Sequence, residues 1–122
     1  MNKLLKRRIL SFKYAGEGVA TLFKTQPNAV IHLVVLLIVV GFGWWLKIST
    51  MEWLILLLTF SMVLVAEALN TALEFLTDLV SPNYHELAKK TKDVAAGAVL
   101  IAVFFAIVIG ILIFLPKIIN LF

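Results

Sequence analysis

Five polar side chains, Glu67, Asn70, Thr71, Glu74 and Asp78, recur within an otherwise apolar run of helix formers that includes Ala68, Leu69, Ala72, Leu73, Phe75 and Leu76. At roughly 100° per residue, with Glu67 set to zero, Asn70 falls near −60°, Thr71 near +40°, Glu74 near −20° and Asp78 near +20°. The spacing therefore predicts one polar stripe on one helix face. Carboxylates one or two turns apart suit a hard divalent cation, which takes oxygen ligands, keeps several waters and is normally shared with substrate phosphates. Such a stripe points to polyphosphate chemistry. Two plainer readings stand beside it. The stripe could be the solvated end of a helix leaving lipid, although Ala68, Leu69, Leu73, Phe75, Leu76 and Leu79 keep the other faces apolar. It could also be hydrogen-bonding glue between helices, a role open to Asn70 and Thr71.

The elements that must position this stripe are membrane helices. Of 122 residues, 62% are apolar and 15% charged, outside the balance of a soluble domain. Three apolar runs approach the ~20 residues a helix needs to cross a bilayer, at 29–46, at 53–80 and at 93–115, the second extending past the membrane edge. If about 20 residues from Glu52 occupy hydrocarbon, Glu67 lies roughly 8 Å inside the boundary. An ionisable group at that depth is expensive and by default marks function.

Before the spans, residues 3–24 place Leu5, Ile9, Phe12, Gly16, Val19 and Phe23 on one helical face and Lys3, Lys6, Arg7, Arg8, Lys13 and Lys24 on the others. This segment is expected to lie in the membrane interface as an amphipathic helix, which a cleaved signal peptide would not resemble. Pro27 and Asn28 separate it from the first span. Ser81, Pro82 and Asn83 end the second, and a polar connector reaches Lys92. Pro116 and Lys117 end the third. Six basic residues precede the first span, and Lys89, Lys90 and Lys92 precede the third, whereas Lys47 alone stands between the first two. The N-terminus is therefore expected in the cytoplasm. Trp44, Trp45 and Trp53 bracket the outer turn, where an aromatic belt belongs.

The absence of cysteine excludes disulfides, thiolate metal sites and cysteine nucleophiles. The formal charge of +4 comes from basic residues flanking apolar spans, which favours anionic lipid and phosphate over nucleic acid as partners. The connector adds Asn83, Tyr84, His85 and Glu86, then Lys92 and Asp93 before the third span. A lysine opening a helix adds its charge to the free backbone N–H groups there, a ready phosphate seat; Lys92 is equally a positive-inside anchor. His85 also reads as a solvated loop residue, and His32 as a side chain packed at the membrane edge. No Walker-type glycine loop or protein-kinase signature is present.

The run Glu67-Ala-Leu-Asn70-Thr-Ala-Leu-Glu74-Phe-Leu-Thr-Asp78, with Tyr84-His85-Glu86-Leu-Ala and Lys92-Asp93-Val-Ala-Ala-Gly97 after it, resembles the prokaryotic diacylglycerol kinase family, which includes undecaprenol kinases. The surface helix, the three spans and the short length are also similar to that family. The resemblance implies a homotrimer in the bacterial cytoplasmic membrane, with composite sites at the cytoplasmic surface where ATP and Mg²⁺ phosphorylate a lipid hydroxyl. Glu67 then matches the catalytic base, Asn70 a residue supporting it and Glu74 a metal ligand. Asn83, Tyr84, His85, Lys92 and Asp93 match nucleotide-contacting positions, as do Arg7 and Tyr14 of the surface helix. Where many members carry a second metal-binding glutamate, this chain has Gln26, which offers a neutral oxygen. The rival reading is a non-enzymatic membrane oligomer, either a cation pathway or a degenerate kinase scaffold. A pathway would need polar residues at outer depths, and 30–46 and 53–66 contain almost none.

Overall fold

The computed structural model describes residues 1–122 as four helices and no strand: α1 (Lys3–Thr25), α2 (Pro27–Trp45), α3 (Thr50–Val80) and α4 (Glu86–Ile119). The last three are long and apolar enough to cross a membrane. Only 12 of 122 residues are buried within the chain, so most apolar surface here is matched to lipid or to other protein, as the composition requires.

Each helix end has a local cause. Asn2 accepts from the Leu4 N–H at 3.1 Å and opens α1. Gln26 is the hinge: its backbone N–H closes α1 on the Leu22 carbonyl at 2.9 Å, and Pro27 then stands at the first position of α2, where a missing N–H costs nothing. Ser49 and Glu52 form a reciprocal capping box on α3, at 3.2 Å and 3.0 Å. The Ser49 backbone N–H, followed by Lys117, holds the Glu52 carboxyl below the usual carboxylate range at the α2–α3 turn end of the bundle.

Between α2 and α3 the chain turns through a Schellman motif. Ile48 N–H reaches the Gly43 carbonyl at 3.1 Å and Lys47 N–H reaches that of Trp44 at 3.2 Å, with Lys47 left-handed at φ 53°. Ile48 is folded back onto a small core with Leu56 and Ile113. Gly43 is the contact point: a Cβ there would meet the Trp53 ring at 2.8 Å and Ile48 Cδ1 at 3.0 Å. Gly43→Ala is therefore expected to destabilise the fold by about 1–3 kcal/mol, read as a lower unfolding temperature in detergent.

The chief packing is between the antiparallel α3 and α4, with α2 against α3 and α1 touching both more lightly. Two ion pairs staple the α3–α4 hairpin, Glu52–Lys117 at 3.1 Å at one end and Asp78–Lys92 at 2.5 Å at the other.

Two boundaries differ from the expectations. The polar connector does not reach Lys92, because α4 begins at Glu86. His85 Nδ1 caps it by accepting from Leu87 N–H at 3.1 Å, and Glu86–Lys90 and Lys89–Asp93 pair one turn apart at 3.6 and 2.6 Å. Pro116 does not stop α4 either. The helix continues to Ile119, with Asn120 N–H closing on the Pro116 carbonyl at 3.1 Å and Lys117 anchored on Glu52.

Candidate active site

The stripe divides into two places. At its inner end Glu67 is 2% exposed, the most enclosed large side chain of the protein. Its carboxylate faces α2, where His32 Nε2 lies 3.6 Å from Oε2. From the first turn of α3 to Glu67 is 17 residues, or roughly 26 Å, within the ~30 Å of a hydrocarbon core. The Glu67 side chain opens on a cavity of about 260 Å³ between α2 and α4, with Asn28 and His32 as its other polar lining.

One turn along, Asn70 is buried and its Oδ1 has no hydrogen-bond partner. A buried amide oxygen left alone is a costly arrangement, of about 1–3 kcal/mol, and marks a position awaiting a donor. The Thr71 hydroxyl spends its one donor on its own helix, donating to the Glu67 carbonyl at 2.9 Å.

At the outer end of the stripe Asp78 faces α4 and grips Lys92. These two line a second cavity, of about 410 Å³, together with Asn83, Tyr84, His85, Lys89 and Asp93. Its size lies within the range of small-molecule sites. All five connector and α4 residues matched to nucleotide contacts thus border one space. The cavity is rich in donors and charge, as a polyphosphate requires. Lys92 is not at a helix start, so the phosphate seat expected from its backbone is absent; its side chain still projects there. Asp78 by hydrogen bond, and Glu74 through space, hold the Lys92 ammonium above its usual range. Glu74 is therefore electrostatically part of this end, and lies seven residues, roughly 10 Å, from Glu67.

Other matched residues are not brought in by one chain. Arg7 and Tyr14 are exposed on α1, whose contacts with α3 lie further along, where Gly18, Val19, Thr21 and Leu22 face Ala68, Thr71, Ala72 and Phe75 across a cavity. Gln26 is half-buried at the α1–α2 hinge and makes no side-chain cap. His32, expected from the sequence to pack at the membrane edge, instead faces the Glu67 carboxylate, a contact the sequence did not disclose. Its one available signal was a titratable side chain a helical turn beyond Asn28 in an apolar run.

The comparisons with known proteins agree on one family. The sequence model described as prokaryotic diacylglycerol kinase matches residues 13–114. The undecaprenol kinase of Bacillus subtilis is 39% identical over 113 residues, covering 93% of this chain and 92% of that protein. The diacylglycerol kinase of Synechocystis is 42% identical over 114 residues, 93% of this chain and 65% of that one. That of Escherichia coli K12 is 33% identical over 102 residues, 84% of each. With a family match that runs through α2, α3 and nearly all of α4, the chain belongs to the prokaryotic diacylglycerol kinase family.

Proposed function

We propose that this protein transfers the γ-phosphoryl group of ATP to the hydroxyl of a membrane lipid alcohol, at the cytoplasmic face of the bacterial cytoplasmic membrane. The observation that bears most weight is a buried carboxylate, Glu67, one turn from a buried Asn70 whose amide oxygen has no partner. Phosphoryl transfer asks chiefly for positioning, charge neutralisation and a group to orient the attacking hydroxyl. Glu67 accepts the hydroxyl proton, Asn70 orients the reacting groups, and Lys92 offsets charge on the nucleotide, which occupies the cavity bordered by Asn83, Tyr84, His85 and Asp93. Transfer breaks the bond between the γ-phosphorus and the β,γ-bridging oxygen, forms a lipid phosphate ester and leaves ADP.

No group of three or more carboxylate or imidazole side chains is gathered in the chain. The donor set therefore does not fit a preformed all-protein cage. It fits an ion delivered with nucleotide phosphates, which needs only one or two carboxylates. Glu74 would hold it, free of any ion-pair partner, with Gln26 offering a neutral oxygen. When bound, Mg²⁺ supplies charge neutralisation on the phosphates.

Arg7 and Tyr14 complete the nucleotide contacts in a homotrimer with shared sites, in which α1 lies amphipathically in the cytoplasmic interface. Their exposure, and their distance along α1 from the part that touches α3, support a site closed by a second copy. A cation pathway has less support, because the cavity of about 240 Å³ beyond His32 has no other polar side chain in its lining.

Purified protein in detergent, given labelled ATP, Mg²⁺ and a series of lipid alcohols, is expected to label diacylglycerol or undecaprenol, and the labelled product names the acceptor. Ion flux in vesicles without lipid-dependent ATP consumption would overturn the proposal.

A further inference from the structure

The contact of His32 with Glu67 is neither a metal nor a nucleotide contact. His32 lies in the second turn of α2 and is the one basic group within ionic reach of the Glu67 carboxylate, at 3.6 Å. Its imidazole also stands at a divide. On one side is the cavity it shares with Glu67 and Asn28; on the other is the cavity whose remaining lining, including Val35, Phe60 and Val103, is apolar apart from the Gly110 backbone. Within these two cavities, polar side chains end at His32.

A single apolar helix face would satisfy α2–α3 packing without an imidazole there, since buried ion pairs are poor sources of stability. A carboxylate in low dielectric with one neighbour is, by contrast, well placed to be oriented by it. We propose that His32 is the positioning residue of Glu67: the 3.6 Å contact closes to a hydrogen bond from Nε2–H to Oε2 when substrate binds, which fixes the carboxylate plane and leaves Oε1 to accept the proton of the lipid hydroxyl arriving in the α2–α4 cavity. This assignment deepens the kinase reading and rests on it.

An unheld carboxylate can rotate, and a misplacement of about 1 Å at a reacting group costs on the order of 100-fold in rate. The test compares full-length wild type, His32→Ala and His32→Gln in one detergent assay of labelled ATP with the accepted lipid alcohol. The glutamine amide retains an N–H donor for the same oxygen. His32→Ala is expected to lose about 10- to 100-fold in kcat with KM for ATP essentially unchanged, and His32→Gln to recover most of that loss. Melting temperature and oligomer elution report folding for each variant independently. Equal kcat in wild type and His32→Ala overturns the assignment. So does a loss in both variants that merely follows the fraction of folded protein. Absence of transfer to any lipid alcohol by wild type would refute the kinase reading itself, a separate outcome read in the same assay.

Discussion

Glu67→Gln is expected to lower lipid phosphorylation by about 100- to 10,000-fold, the range a general base contributes, while the protein assembles as before. Two features of the structure separate this from a folding effect. Glutamine fills the same volume, so the enclosed position of Glu67 is not emptied. Removing a charge that lies within the apolar reach of α3 also relieves a cost of a few kcal/mol, so thermal stability should stay level or rise. A variant that melts no lower than wild type yet transfers almost no phosphate to lipid is the expected outcome. Full activity in that variant would remove Glu67 from the reaction. The measurement is initial rate at saturating ATP and lipid, paired with an unfolding curve.

Lys92→Met should have the next largest effect. Methionine preserves most of the apolar stem and deletes the ammonium that faces Asp78 and, through space, Glu74. Both carboxylates would then lose their nearest cation at the cavity proposed for the nucleotide. On the scale of a lost electrostatic clamp, kcat/KM for ATP is expected to fall about 100-fold. Because Lys92 and Asp78 are both substantially solvated, their pair contributes little to folding, and the melting temperature should hardly move. Asp78→Asn provides the contrast, since it frees Lys92 but leaves its charge, and is expected to retain most activity. An unchanged KM for ATP and unchanged kcat in Lys92→Met would sink the assignment of this cavity to nucleotide.

The stripe was legible because helical periodicity is a local property, and residues 67–78 hold that periodicity from end to end. What periodicity cannot give is which neighbour each member meets. Asp78 and Glu67 lie within a few tens of degrees of each other about the axis, yet the partner of one is Lys92 of α4 and that of the other is His32 of α2. The same limit hid His32, whose significance depends on a contact between residues far apart in the chain. The helix start at Glu86 was open to a closer reading: the pairs Glu86–Lys90 and Lys89–Asp93 have the four-residue spacing of a helical face, but Pro82 and Asn83 just before them gave the stronger local signal. Thr71 illustrates a third limit. A hydroxyl in a helix has its own backbone as an acceptor, and its position on the stripe does not disclose that it has used it.

The two staples of the α3–α4 hairpin have a consequence for the bilayer around it. Glu52 and Asp78 are 26 residues apart, roughly 39 Å of helix, and each is tied across to the opposite end of the long run of α4. Packing of α3 on α4 is the chief contact of the chain, and it, more than the ion pairs at its two ends, keeps the helices from sliding to shorten their apolar band, so tilting or deformation of the lipid absorbs any difference in thickness. The hairpin thus acts as a ruler. It sets the height of Glu67 relative to Trp44, Trp45 and Trp53 at the α2–α3 turn, and thinner or thicker membranes would present their alcohol headgroups above or below a carboxylate that does not follow them.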